Sequence, residues 1–205
     1  MSTAPVLAPP DRSLDPDQRV ILQDIDWWQF ETFLAIRGDS AGVRVTYLEG
    51  QLEIMSPSRT HEWLKTLIAR LLETYTEEKG MYFTGYGGLT MRNAPKLRGL
   101  EPDECYVVGS AKETPDLAVE VIWTHGGLDK LEVYRGLGVR EVWIWKKEEL
   151  KAYELRGDGY VEISQSVVIP GLTPAFIAEY LDYDDDDHTK IVRKFRRAVA
   201  TPPLS

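Results

Sequence analysis

Several kinds of reactive site are missing from this sequence. The single cysteine, Cys105, excludes an intrachain disulfide and any multi-cysteine metal cluster. The three histidines, His61, His125 and His188, are too few to make an all-histidine zinc site an expectation. There is no Gly-x4-Gly-Lys-[Ser/Thr] phosphate loop, no Gly-x-Gly-x-x-Gly dinucleotide turn and no Gly-x-Ser-x-Gly nucleophile elbow. No apolar run approaches the roughly 20 residues of a membrane helix. The first twenty residues lack a charged start followed by an apolar block, so no secretory signal is read and a cytoplasmic protein is expected. What is present is a chain of 205 residues, 43% apolar and 28% charged, which suits one globular domain with some excess at the ends.

The net charge of −9 is unevenly spread. Glu179, Asp182 and Asp184 to Asp187 hold six acids, and without them the balance is about −3. A basic run follows at Lys190, Arg193, Lys194, Arg196 and Arg197. An acidic balance counts against indiscriminate coating of nucleic acid. It leaves room for a compact site that holds a divalent cation, since such sites are built from carboxylates.

Residues 1–20, with Pro5, Pro9, Pro10 and Pro16, read as a flexible leader. The expected folded domain covers 21–183, and 184–205 form an acidic turn and a basic C-terminal helix or tail. Asp26 suits the N-cap of a helix through Trp27, Phe30, Phe33, Leu34 and Ile36. Val43 to Leu48 and Leu52 to Met55, joined at Glu49-Gly50, form a β-hairpin signal. Thr60 then caps a long helix over about 61–79, because Leu64, Leu67, Ile68, Leu71, Leu72 and Tyr75 recur on one face. Strands are predicted near 82–90, 103–109 and 116–123, with a polar loop over 93–101 kinked by Pro95. A short helix follows over 128–136, then strands over 139–145, 150–155 and 160–163, and a helix opened by Pro174. The order implies an α/β or α+β fold, a mixed sheet flanked by helices.

The informative residues are Asp103, in Pro102-Asp103-Glu104, and Glu120, in the apolar run Asp116 to Val121. By period two, Glu120 shares a strand face with Ala118 and Ile122, where a carboxylate is costly unless paired or bound to a cation. If the two strands are adjacent and antiparallel, residues 103 and 120 come level. Their carboxylates, within about 6 Å of each other, could then hold one Mg²⁺ or Mn²⁺. The alternative is a Glu120 paired with a buried Arg or Lys, and an Asp103 that only makes a turn. Lys130 lies in the first turn of the following helix, from which an ammonium can reach a scissile phosphate; a solvated lysine is the commoner fate. His61 points inward from the start of the long helix, as a capping or core residue or as a group that approaches metal-bound water. Glu53 is a candidate additional carboxylate, with Glu101 ranked ahead of Glu104 as another. His125 and His188 receive no role.

These stretches resemble the Uma-two family of restriction-endonuclease-like proteins, a branch of the PD-(D/E)XK nuclease superfamily. The resemblance runs from about Trp27 to Leu172. It is carried by Thr46 to Pro57, His61, Glu101 to Tyr106, Pro115 to Val121, Leu131 to Tyr134 and Leu137 to Trp143. It implies a helix packed on a mixed sheet, Asp103 and Glu120 as metal carboxylates with the carbonyl of Val121, and Mg²⁺-dependent hydrolysis of phosphodiester bonds in nucleic acid, DNA first. The superfamily pattern puts a lysine two residues after the second acid, where this chain has Ile122. Lys130, on the next helix, is the counterpart that the family implies; if Lys130→Met still cleaves, Arg92 or Lys96 from the preceding loop are the next candidates. A degenerate member that serves as a binding or scaffold module, and a hydrolase for another phosphate ester, are the alternatives. Cutting both strands of a duplex takes two sites, so a homodimer is expected, joined through the aromatics of Glu141 to Trp145.

Overall fold

The structure is a computed structural model that describes residues 15–38, 42–124, 127–181 and 187–200. Its first element is strand β1 (Gln18–Leu22), so residues 18–20, read as leader from their prolines, are part of a sheet. Of the rest of the leader, residues 1–14 lie outside the described residues. Helix α1 (Trp27–Arg37) starts at a capping box, in which Asp26 accepts from Gln29 N–H and the Gln29 side chain returns to the Asp26 N–H. Strands β2 (Arg44–Leu48) and β3 (Gln51–Ser56) form the expected hairpin. Glu49 and Gly50, both at positive φ, make its turn. Helix α2 (Arg59–Glu78) begins two residues before the expected span, because Ser58 rather than Thr60 caps it and accepts from His61 N–H.

The segment over 93–101 is more ordered than its polarity suggests. Two short strands, β5 (Met91–Asn93) and β6 (Arg98–Leu100), flank a single 3₁₀ turn. Pro95 falls within that turn, where its missing N–H costs no ladder bond. Strand β6 pairs with β2, which gives a five-stranded antiparallel sheet in the order β1-β3-β2-β6-β5.

The second sheet is built from β4 (Phe83–Gly85), β7 (Glu104–Val108), β8 (Leu117–Ile122), β9 (Glu141–Lys146), β10 (Glu149–Arg156) and β11 (Gly159–Ile163), in the order β11-β10-β9-β8-β7-β4. Only β8 and β9 are parallel, joined by the crossover helix α3 (Lys130–Leu137). Two further helices, α4 (Pro174–Ala178) and α5 (His188–Ala200), pack with α2 on one face of this sheet. There Leu64, Leu67, Ile68 and Leu71 meet Val119, Val121, Trp143 and Trp145. On the other face Val133 and Tyr134 of α3 meet Ala118, Val142 and Ile144, and Met91 and Leu100 of the first sheet close that layer. The fold is thus the expected mixed α/β arrangement, with two sheets and five α-helices among the described residues.

The expected dimer contact does not survive this topology. Strand β9 is internal, and Trp143 and Trp145 are 0% and 3% exposed. They are core residues and offer no surface to a second copy. Of the acidic turn, residues 182–186 lie outside the described residues, and the basic run is helix α5.

Candidate active site

The antiparallel ladder of β7 and β8 pairs Glu104 with Val119, so Asp103 stands one step further along, opposite Glu120. Its Oδ2 accepts the Val121 N–H at 2.8 Å, which ties the first acid to the residue beside the second. The two sheets meet here. Strand β3 contributes Glu53, β2 contributes Thr46, α2 contributes His61 from its first turn, and α3 contributes Lys130 from its first residue and Tyr134 one turn later. Glu53, His61, Asp103, Glu120 and Lys130 are all buried.

Lys130 is not the solvated lysine of the commoner case. Its Nζ donates to Thr46 Oγ1 at 2.7 Å and lies 3.5 Å from Glu120 Oε2 and 3.9 Å from Glu53 Oε1. Tyr134 donates its hydroxyl to Glu120 Oε1. Glu53 Oε2 accepts the Leu128 N–H at 2.9 Å and sits 3.3 Å from Arg19 Nε. Asp103 Oδ1 is less tightly held, 3.7 Å from Arg44 Nε.

His61 lies between two carboxylates. Its Nδ1 is 3.2 Å from Asp17 Oδ2. Its Nε2 comes within 3.1 Å of Asp103 Oδ2, an ion pair when the ring is protonated. Burial opposes an imidazolium, but Asp103 and Asp17 outweigh it and lift the ring to about 10. The same contact, with the Val121 N–H, holds Asp103 below the usual carboxylate range despite its burial. Glu120 moves the other way. Burial, helped by the charge of Asp103, raises it to about 7 against the opposing pull of Lys130 and Tyr134.

The sequence candidates therefore divide. Glu53, His61, Asp103, Glu120 and Lys130 converge, with the Val121 backbone beside them. Glu101 does not join them: Arg37 and Thr90 bind its carboxylate. Arg92 is engaged at a distance by Glu31. His125 lies outside the described residues. Sequence reasoning missed Asp17, hidden in the proline-rich leader, and Tyr134, read only as part of an apolar stripe. Asp17 also accepts the Ser58 N–H at 2.8 Å, and so fixes the start of α2. An Asp just ahead of a strand, with a capped helix downstream, was the available signal. Among the described residues no group of three or more His, Cys, Asp or Glu is arranged to hold a metal ion.

In this α/β core adjacent strands bring two acids level, and a lysine from the crossover helix lies 3.5 Å from the second of them. The profile of the Uma2 family, described as "Putative restriction endonuclease", matches residues 30–177, and the chain belongs to that family. Among solved structures it is similar to the crystal structure of a "putative nuclease belonging to DUF820" from Anabaena variabilis, at 12% identity and a TM-score of 0.45 over 67% of this chain and 90% of that one. No curated protein matches the chain. No helix among the described residues is long and apolar enough to cross a membrane.

Proposed function

We propose that the chain is a metal-dependent nuclease that hydrolyses phosphodiester bonds of DNA, with Asp103, Glu120 and the Val121 carbonyl holding Mg²⁺ or Mn²⁺. The donor set fits such an ion. Each carboxylate has one oxygen held by a protein donor, Val121 N–H on Asp103 and Tyr134 on Glu120. Each keeps a second, Asp103 Oδ1 and Glu120 Oε2, whose contacts to Arg44 and Lys130 are 3.7 and 3.5 Å. Hard carboxylate oxygens are what these cations take. A bound ion would supply Lewis acidity toward the phosphate and a water of lowered pKa.

The chain's own groups do the rest. Lys130, fixed by Thr46, directs its ammonium toward Glu120, beside the place where negative charge develops on a phosphate in the transition state. Tyr134 fixes the rotamer of Glu120, and His61 with the Val121 N–H fixes Asp103. Glu53 shares Lys130 with Glu120, which centres the ammonium between the two sheets. The single observation that carries the reading is the placement of Lys130: buried, at 8% exposure, and directed at Glu120.

One observation favours a second reading, a non-catalytic binding module that keeps the fold. Every acid of the cluster already faces a cationic side chain: Glu53 has Arg19, Asp17 and Asp103 share His61, and Glu120 has Lys130. Cleavage of plasmid DNA with Mg²⁺ or Mn²⁺ separates the two. The nuclease reading expects cleavage by the parent protein and its loss in both Asp103→Asn and Lys130→Met. Mn²⁺ binding that depends on Asp103, without cleavage, would leave the binding module.

A further inference from the structure

A cavity of about 530 Å³ opens beside the acid cluster, at the carboxyl ends of the parallel strands β8 and β9. Ile122, Leu131, Ile144 and Tyr153 give it an apolar floor. Its walls carry four lysines, Lys130, Lys146, Lys147 and Lys151, against two acids, Asp129 and Glu149, in a chain whose net charge is −9. The local sign is inverted. Lys151 is held by Glu149 and Glu162 at 3.4 and 3.5 Å. Lys146 and Lys147 are exposed and form no ion pair among the described residues.

The turn that presents them is also unusual. Lys147 and Glu148 stand at φ 52° and 64°, the signature of a tight hairpin turn that ordinarily takes Asn-Gly. Two charged side chains occupy a backbone that favours glycine. On the far side of this turn a smaller hollow of about 80 Å³ is walled by Trp123 and Trp145, whose rings stack at 5.7 Å. Apolar hollows therefore lie on both sides of a free lysine pair, and the larger one shares Lys130 with the acid cluster.

We propose that this cavity seats a single-stranded stretch of the polynucleotide substrate, with one base on the floor beside Tyr153 and the adjoining phosphates on Lys146 and Lys147. The proposal deepens the nuclease reading and rests on it for the choice of polymer. A recessed apolar floor receives a base only once that base has left the stack, and ammonium groups at the rim track a backbone without reading sequence. A duplex keeps its bases in the stack and offers none to this floor.

The test is fluorescence anisotropy with a labelled oligodeoxythymidine of about 12 nucleotides, in EDTA so that cleavage plays no part. The parent should bind with a strong dependence on salt. K146E/K147E should weaken binding at least about tenfold, and the neutral pair K146Q/K147Q should lower the salt slope by about 1.4, the share of two phosphates. Tyr153→Ala should weaken binding about tenfold, and an unlabelled duplex should compete poorly. Lys194→Glu, on α5, serves as a control that should bind as the parent does. Parent-like binding by K146E/K147E, or a duplex that competes as well as the single strand, would overturn the proposal. Lysine-dependent binding by a protein that fails to cut with Mn²⁺ would uphold it while removing the nuclease reading.

Discussion

Lys130 shows how a residue with an unremarkable spacing acquires a defined place. A lysine on a short helix faces solvent by default, and this one is buried because Thr46, Glu120 and Glu53 converge on its ammonium from three strands. Its removal therefore costs more than chemistry: Lys130→Met leaves the buried Glu120 with the Tyr134 hydroxyl but no cation, a change worth about 3 kcal/mol of stability. Cleavage by that variant must be compared with the parent at a temperature where both are folded. Glu132, two residues on, gives a separate pH test. Arg135 first, with help from Arg98, draws its carboxyl from 4.5 to about 2 against the opposing effect of burial. A carboxyl lowered in the folded state stabilises fully above 4.5, and loses that contribution as pH falls through about 2. The difference in melting temperature between parent and Glu132→Gln is thus expected to be constant above pH 5 and to shrink steadily below it. A difference that grows on acidification would contradict the pairing.

At the scale of elements, α3 is held to the first sheet through Gly136. A Cβ there would strike the Cγ of Arg98, whose guanidinium is bound by Glu49, Glu132 and the Lys96 carbonyl and so cannot move aside. Gly136→Ala gains about 1 kcal/mol of helix propensity, but overpacking against a pinned stem costs about 2–3 kcal/mol. A net loss of about 1–2 kcal/mol is expected in urea unfolding, where an ordinary helix would show a gain. Elements with a strong period were legible in the sequence: α2 from its apolar stripe, the β2–β3 hairpin from its alternation, and the acid pair from its cost in an apolar strand. What escaped had physical reasons. Strand β1 has an exposed face and follows a proline run; β5 and β6 are three residues each and gain their order from pairing with β2. Trp143 and Trp145 suggested a surface patch because a strand buried on both faces reads as a continuous apolar run, with no alternation to mark the inside.

For the molecule as a whole, the acid cluster lies where two sheets and two helices meet, so occupancy of the site and global stability are linked. If Asp103 and Glu120 hold Mn²⁺, the ion at about 100 times its Kd should add about 2.7 kcal/mol, or roughly 5–10 °C for a chain of this size. Asp103→Asn should abolish the shift, as followed by differential scanning calorimetry. An equal shift in that variant would place the ion elsewhere. The segment Asp15 to Arg19 has a different consequence, one of timing. Strand β1 can join β3 once Ser56 has left the ribosome. Yet the N–H of Asp17 bonds Thr124 Oγ1, and the carbonyl of Asp15 accepts from the Trp123 indole, 107 and 108 residues downstream. The beginning of the chain waits on its middle. During synthesis Asp15 and Asp17 can meet Ser58, Thr60 and His61 early, but the Asp17 N–H and the Asp15 carbonyl wait for Thr124 and Trp123, and that interval is when a chaperone or protease would find the segment half-docked.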